Sequence, residues 1–171
     1  MQIREAAIGD AAGIAAVHVE SWRAAYAGIL PQDYLDSLEP VQRGAVWKRI
    51  LSSQGGRELT VVAEDSYQIV GFANVCASRD ADVTAGAVGE VAAIYLRPEV
   101  WGQGGGRQLM AAALAALVEV EFSEATLWVL EANSRARRFY EAGGWAPDGA
   151  EKDEDIRGFP VHELRYRRRI P

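Results

Sequence analysis

The sequence predicts a mixed α/β fold, one sheet with helices on both of its faces, and three observations carry that expectation. The order of elements is the first: helices follow an opening strand, three strands then run in series, and strand, helix, strand, helix follow. That order does not suit a doubly wound sheet. The second is the stretch VGEVAAIYL over 88–96, whose mixed apolar and polar character fits a central strand covered on both faces. The third is a helix downstream of it, in which Leu109, Met110, Ala113, Leu114, Leu117 and Val118 recur at three- and four-residue steps and form one apolar stripe. With 171 residues, 49% of them hydrophobic, the chain can bury a core of its own, so a single domain over 1–171 is expected.

In chain order, residues 2–6 read as a short strand, and Asp10 is placed to cap a helix running to about Tyr26. Ile14, Val17, His18, Ser21, Trp22, Ala25 and Tyr26 share a face of it. Ile14, Val17 and His18 belong to the core on this reading. Trp22 and Tyr26 differ, because they precede the turn Gly28-Ile29-Leu30-Pro31, where aromatic groups can wall a pocket. A second helix is expected over 32–38 and a third over 41–51, entered at Pro40, which suits a first helical turn. Two antiparallel strands, 59–64 and 68–77, are joined at the polar turn Asp65-Ser66. SRDADVTAG, 78–86, is a loop of small and acidic residues before the central strand 88–96.

Beyond the glycine-dense loop and its helix, 125–130 (ATLWVL) is a buried strand, and Asn133 can cap a helix that carries Ala136, Phe139 and Tyr140 and closes at Gly143-Gly144. A further strand begins over 145–147, 151–155 (EKDED) reads as an acidic loop, and 161–167 is the last strand. Its run Arg165, Arg167, Arg168, Arg169 is expected as a solvated edge that discourages pairing between chains.

Composition excludes several classes. A net charge of −6 argues against nucleic-acid binding, which favours a basic face. The longest apolar run is too short for a bilayer, and MQIREAAIGD lacks the basic-then-apolar order of a signal peptide. No membrane association and a cytoplasmic location are therefore expected. Cys76, the lone cysteine, reads as a small buried hydrophobe, and with two distant histidines it makes no metal cluster.

The chemistry begins at Gly102, Gly104, Gly105 and Gly106. A glycine loop that empties into a helix start lets backbone N–H groups close around a phosphate at the positive end of the helix. Two fingerprints fail here. A P-loop needs Lys and then Ser or Thr after its last glycine, whereas Gly106 is followed by Arg107 and Gln108. The dinucleotide pattern G-x-G-x-x-G fits Gly102 and Gly104 but puts Arg107 at its third glycine.

The loop Gln103-Gly104-Gly105-Gly106-Arg107 follows a strand ending Ile94-Tyr95-Leu96. Some thirty residues on comes Asn133-x-x-Ala136-x-x-Phe139-Tyr140-x-x-x-Gly144-Trp145. Together these segments resemble the GNAT superfamily of N-acetyltransferases, and the resemblance runs from about Ile3 to Tyr166. It implies the GNAT fold, a mostly antiparallel sheet of six to seven strands. It also implies that Gly102, Gln103, Gly104, Gly105, Gly106 and Arg107 hold the pyrophosphate of acetyl-CoA, with Trp101 standing where the family has Gln or Arg. Further implied are a central strand that splays from its neighbour, so that backbone groups of Ile94, Tyr95 and Leu96 pair with the pantetheine arm, an Asn133 amide on the same arm, and Tyr140 as proton donor to the departing thiolate. The first helices of the family flank the acceptor, which marks Trp22 and Tyr26 as substrate-pocket residues.

Acyl transfer from a thioester needs a neutral amine, a polarised carbonyl and a proton for the thiolate. Because an alkylamine has a pKa of about 10.4, a base is useful. Glu90 is the first candidate, at the entrance of the central strand and, by the period of two, on the face of Ala92 and Ile94. Glu131, at the end of the next strand, is the second. Cys76 lacks a partner for a covalent route, so the amine, of a small molecule or peptide, is expected to attack directly. A CoA-binding regulatory or interaction module without turnover is the competing class. No metal is expected, and a homodimer is compatible with everything above.

Overall fold

A computed structural model describes residues 1–84 and 86–170, so one residue of the expected 78–86 loop, Ala85, lies outside the described residues. The strands are β1 (Gln2–Glu5), β2 (Leu59–Asp65), β3 (Gln68–Ala77), β4 (Val88–Leu96), β5 (Glu124–Leu130), β6 (Ala146–Ile156) and β7 (Phe159–Arg169), and the helices are α1 (Ala11–Ala25), α2 (Gln32–Asp36), α3 (Pro40–Ser53), α4 (Gly105–Glu119) and α5 (Ser134–Ala142). All seven strands form one sheet in the order β1-β2-β3-β4-β5-β7-β6. Only β4 and β5 pair in parallel, because α4 returns the chain to the same end of the sheet between them. No helix among the described residues is long and apolar enough to cross a membrane.

Two layers cover the sheet. On one face the α1 and α3 residues Ile14, Val17, Trp47 and Leu51 pack with Val62 and Phe72. On the other, Leu109, Met110, Ala113, Leu114 and Leu117 of α4 pack with Val61, Ala63, Val91 and Leu127, and the α5 residues Phe139 and Tyr140 abut the same cluster. The α4 stripe is narrower than the periodicity implies, since Val118 is exposed, while Ala116 and Leu117 of that last turn are buried in the core.

Four expectations are corrected. Asp10 does not cap α1: its carboxylate accepts from the Ala7 amide at 2.8 Å and from Arg4 at 2.7 and 2.9 Å, closing the 3₁₀ turn Ile8–Asp10 onto β1. The first hairpin turns at Ser66-Tyr67, not Asp65-Ser66, with φ of 48° and 64°, a two-residue turn whose left-handed pair matches strand twist. The acidic stretch 151–155 is strand, paired from Glu151 opposite Leu164 to Ile156 opposite Phe159. As the sheet's outer strand it keeps its carboxylates in water, and Arg157-Gly158, at φ 52° and 87°, makes the reversal. The arginines of β7 therefore lie on an interior strand, between β5 and β6, and Arg165 is buried at 3% exposure.

Candidate active site

β4 and β5 stay together for three pairs, Val88 with Glu124, Gly89 with Ala125 and Glu90 with Thr126, and then diverge. The divergence opens a cleft of ≈ 500 Å³, within the usual range for a small-molecule site. β4 also carries one extra residue against β3, with Val91 opposite Val75 but Ala93 opposite Asn74. This bulge at Ala92 reverses the alternation beyond it. Glu90 thus shares a face with Ala93 and Tyr95, while Val91, Ile94 and Leu96 take the other, so the expected grouping of Glu90 with Ala92 and Ile94 is wrong. A period-two argument has no means of seeing an inserted residue.

At one end of the cleft lies the glycine loop. Gly102 and Gly104 have φ of 76° and 87°, and a Cβ at either would enter open space. The left-handed backbone favours glycine, and the free space leaves room for a phosphate to approach the amides at the start of α4. Gly105 and Gly106 serve another purpose. A Cβ on Gly105 would come within 2.9 Å of Leu96, and one on Gly106 within 3.2 Å of Phe139, so these two let α4 sit tight against β4 and α5. Gly102, Gly104, Gly106 and Arg107 line the cleft; Gln103 and Gly105 do not, and the Gln103 amide donates to the Glu99 carbonyl. Trp101 faces the cleft, with its indole N–H donating to the Leu96 carbonyl at 2.8 Å. Ser21 donates to the same carbonyl at 2.7 Å, so of the backbone groups of Ile94, Tyr95 and Leu96 this one is already engaged.

Midway, Ile94, Tyr95, Asn133 and Tyr140 line the walls. Asn133 caps α5, its side-chain oxygen accepting from the Ala136 amide at 3.1 Å, which leaves its NH₂ to spend elsewhere. Burial, and then neighbouring Tyr95, hold the Tyr140 hydroxyl well above the ordinary phenol range, so it stays protonated. Burial, and next the Glu90 charge, push the Cys76 thiol up to about 11, which keeps it from being a thiolate near neutral pH.

The far end is aromatic and ion-paired. Trp22 and Tyr26 stand edge to face with centroids 5.0 Å apart, and the Tyr26 hydroxyl lies 3.3 Å from that of Tyr95. Behind Tyr95, His18 stacks at 5.3 Å and accepts from the Trp47 indole at 3.1 Å. Glu90 is 5% exposed and held by Arg79: one oxygen accepts at 2.7 Å, while the other has only 3.4 Å contacts. Glu131 is exposed and outside the cleft lining, so the alternative base is not brought to the site.

Sequence reasoning missed Arg79, Trp128, Lys152 and Glu163, which complete this end. Glu163 pairs with Lys152 at 3.1 Å, and the Lys152 ammonium sits 4.4 Å over the Trp128 ring. Their positions follow from pairing across β5, β7 and β6, where Trp128 is opposite Arg165, Leu130 opposite Glu163 and Glu163 opposite Lys152. Arg165 in turn clamps the loop after β3, donating to Asp82 twice at 2.7 Å, to Asp80 at 3.0 Å and to Asp148 at 2.9 Å. Trp128 adds an indole bond to Asp80 at 3.2 Å. The small acidic loop is the wall that presents Arg79. No cluster of metal-ligating side chains occurs among the described residues.

Comparison with known proteins agrees with this geometry. A Bacillus subtilis (strain 168) protein named uncharacterized N-acetyltransferase YuaI is 35% identical over 163 residues, 95% of this chain and 89% of that protein. The PaiA N-acetyltransferase of Thermoplasma acidophilum, crystallised with coenzyme A, superposes with a TM-score of 0.68 at 24% identity, covering 95% and 96% of the two chains. A ribosomal-protein-alanine N-acetyltransferase from Brucella melitensis superposes at 0.77 with 18% identity, covering 99% and 100%, and shares the fold. The model of the acetyltransferase (GNAT) family matches residues 19–145, and the chain with its splayed β4 and glycine loop belongs to that family of acetyltransferases.

Proposed function

We propose that the protein moves an acetyl group from acetyl-CoA to a primary amine of a small molecule or peptide, by direct attack in the cytoplasm. The observation that carries this is the parting of β4 from β5 after Glu90. It joins the glycine loop, a half-buried, protonated Tyr140 and an aromatic, ion-paired chamber in one cleft. The fit is specific at Gly102 and Gly104, whose left-handed backbone and open Cβ directions make room for a pyrophosphate on the α4 amides.

Acetyl-CoA, when bound, supplies an activated acyl group whose C–S bond breaks as the C–N bond to the amine forms. Trp22 and Tyr26 wall the amine and exclude water, which raises the weight of every charge nearby. Glu90 accepts the proton the amine loses, through its less engaged oxygen and a water, while Arg79 holds the carboxylate in place through the other oxygen. Tyr140 gives its hydroxyl proton to the departing sulfur and regains one from solvent through the cleft. Its raised pKa keeps the proton on the hydroxyl until the sulfur develops charge, and makes the phenolate left behind quick to take up a proton again. The amide of Asn133 and free backbone groups of β4 hold the acyl donor's arm.

The test is release of free thiol from acetyl-CoA across a panel of amines, read with a thiol-reactive dye, with mass spectrometry of the products. Amine-dependent release is expected. Acetyl-CoA binding without release for any amine would favour a non-catalytic CoA-binding module.

A further inference from the structure

Arg135 is the second residue of α5, and its guanidinium carbon lies 3.5 Å from the centre of the Trp101 ring. The ring is not free to drift, because its indole N–H is spent on the Leu96 carbonyl at 2.8 Å. A guanidinium that stacks uses its flat face and keeps its N–H edge available for an oxyanion. Among the described residues that edge has no hydrogen-bond or ion-pair partner. The one influence acting on Arg135 is desolvation, with no carboxylate beside it. Arg137, two residues on and on a different side of α5, instead donates to the Tyr166 hydroxyl at 3.2 Å and to the Glu131 carbonyl at 3.2 Å.

The position is also electrostatically unfavourable for the free protein. The first turn of a helix carries the positive end of its dipole and favours acids. A cation there, partly desolvated and without a counter-ion, destabilises the helix unless something anionic arrives. Arg107 lines the same end of the cleft, beside Gly102 and Gly104. Arg135 and Arg107 thus both line the cleft that the glycine-opened start of α4 borders.

We propose that Arg135, seated on Trp101, is a phosphate anchor for the acyl donor and sets how tightly this chain holds CoA. The inference rests on the acetyl-CoA reading above, and the phosphate is either the pyrophosphate or the 3′-phosphate of the nucleotide. The stack explains why an aromatic residue suits position 101: it aims the guanidinium rather than touching the phosphate itself.

The experiment is calorimetric titration of CoA and of dephospho-CoA, which lacks the 3′-phosphate, into the wild type and into Arg135→Leu, Arg135→Lys, Trp101→Leu and Trp101→Phe. Arg135→Leu should weaken CoA binding about 10- to 100-fold, the scale of one charge-assisted hydrogen bond. Trp101→Leu should weaken it in the same direction, and Trp101→Phe and Arg135→Lys should each retain part of the affinity. The Arg135→Leu deficit should shrink in high salt, and its melting temperature should equal or exceed that of the wild type, since the unfavourable charge has gone. An equal deficit with dephospho-CoA assigns the pyrophosphate; a deficit confined to CoA assigns the 3′-phosphate. Wild-type affinity for CoA in Arg135→Leu would overturn the anchor while leaving the acetyl-CoA reading intact. Failure of the wild type to bind CoA at all would overturn both.

Discussion

His18 is an imidazole among four aromatic rings, those of Trp22, Trp47, Phe72 and Tyr95. Burial, and then the charge of Arg43, bring its pKa from 6.5 to about 3. The unfolded chain therefore takes up a proton below pH 6.5 that the native chain refuses until about pH 3, so stability falls as pH drops through that window. The slope approaches about 1.4 kcal/mol per pH unit in the middle of the window. His162 works the other way, raised by Asp153, but it sits at the surface where solvent screens the pair. We expect the wild-type melting temperature to decline between pH 6.5 and 4.5 and His18→Gln to flatten that decline; parallel curves would show that His18 does not carry it. At Tyr140, no side-chain partner holds the hydroxyl among the described residues, so Tyr140→Phe should change stability by under about 1 kcal/mol. Turnover should drop by roughly 10²-fold or more, with far less change in acetyl-CoA affinity. Normal turnover in this variant would leave Tyr140 a packing residue.

At the scale of elements, the loop before α4 and the loop after β3 build opposite ends of one cleft by different physics. The first depends on backbone conformation. Gly104→Val forces a branched side chain into φ 87° and into the open space at the start of α4, so on the proposed reading acetyl-CoA binding should vanish in calorimetry, with a stability loss of about 1–2 kcal/mol from the strained backbone. The second depends on charge. Arg165→Met leaves Asp80, Asp82 and Asp148 without their shared cation, and because Asp82 is itself 61% exposed, we expect about 2–3 kcal/mol and not the larger cost of a fully buried pair. Releasing this loop unseats Arg79, so KM for the amine should rise several-fold more than KM for acetyl-CoA; equal changes in the two would point to general destabilisation. The run of arginines in β7 read as a solvated edge from sequence because alternating charge looks the same on an outer strand and on an inner strand with acids folded over it. Only the return of β6 across β7, reversing at Arg157-Gly158, separates the two cases.

Across the whole molecule, the cleft sits at the one parallel junction of the sheet, and a ligand bridging it touches β4, α4 and α5 at once. Saturating acetyl-CoA should therefore raise the melting temperature of the whole domain in one transition, by the equivalent of about 2.7 kcal/mol at a hundredfold excess over Kd. A shift that persisted in Gly104→Val would place the ligand elsewhere. Local pattern alone was enough for much of this architecture. The α4 stripe, the strand β4, the Asn133 cap and the glycine loop each express a rule that acts within a few residues, and the family resemblance follows from their order, whereas the half-exposure of 92–95 in β4 comes from its parting from β5. What tertiary structure decided are matters of register and closure. The bulge at Ala92 turned Glu90 toward Tyr95, the placement of β7 inside the sheet buried Arg165, and pairing across three strands gathered Trp128, Glu163 and Lys152 at the far end of the cleft. Those outcomes depend on contacts between residues far apart in the chain, and a pairing that shifts by one residue moves every side chain beyond it to the opposite face.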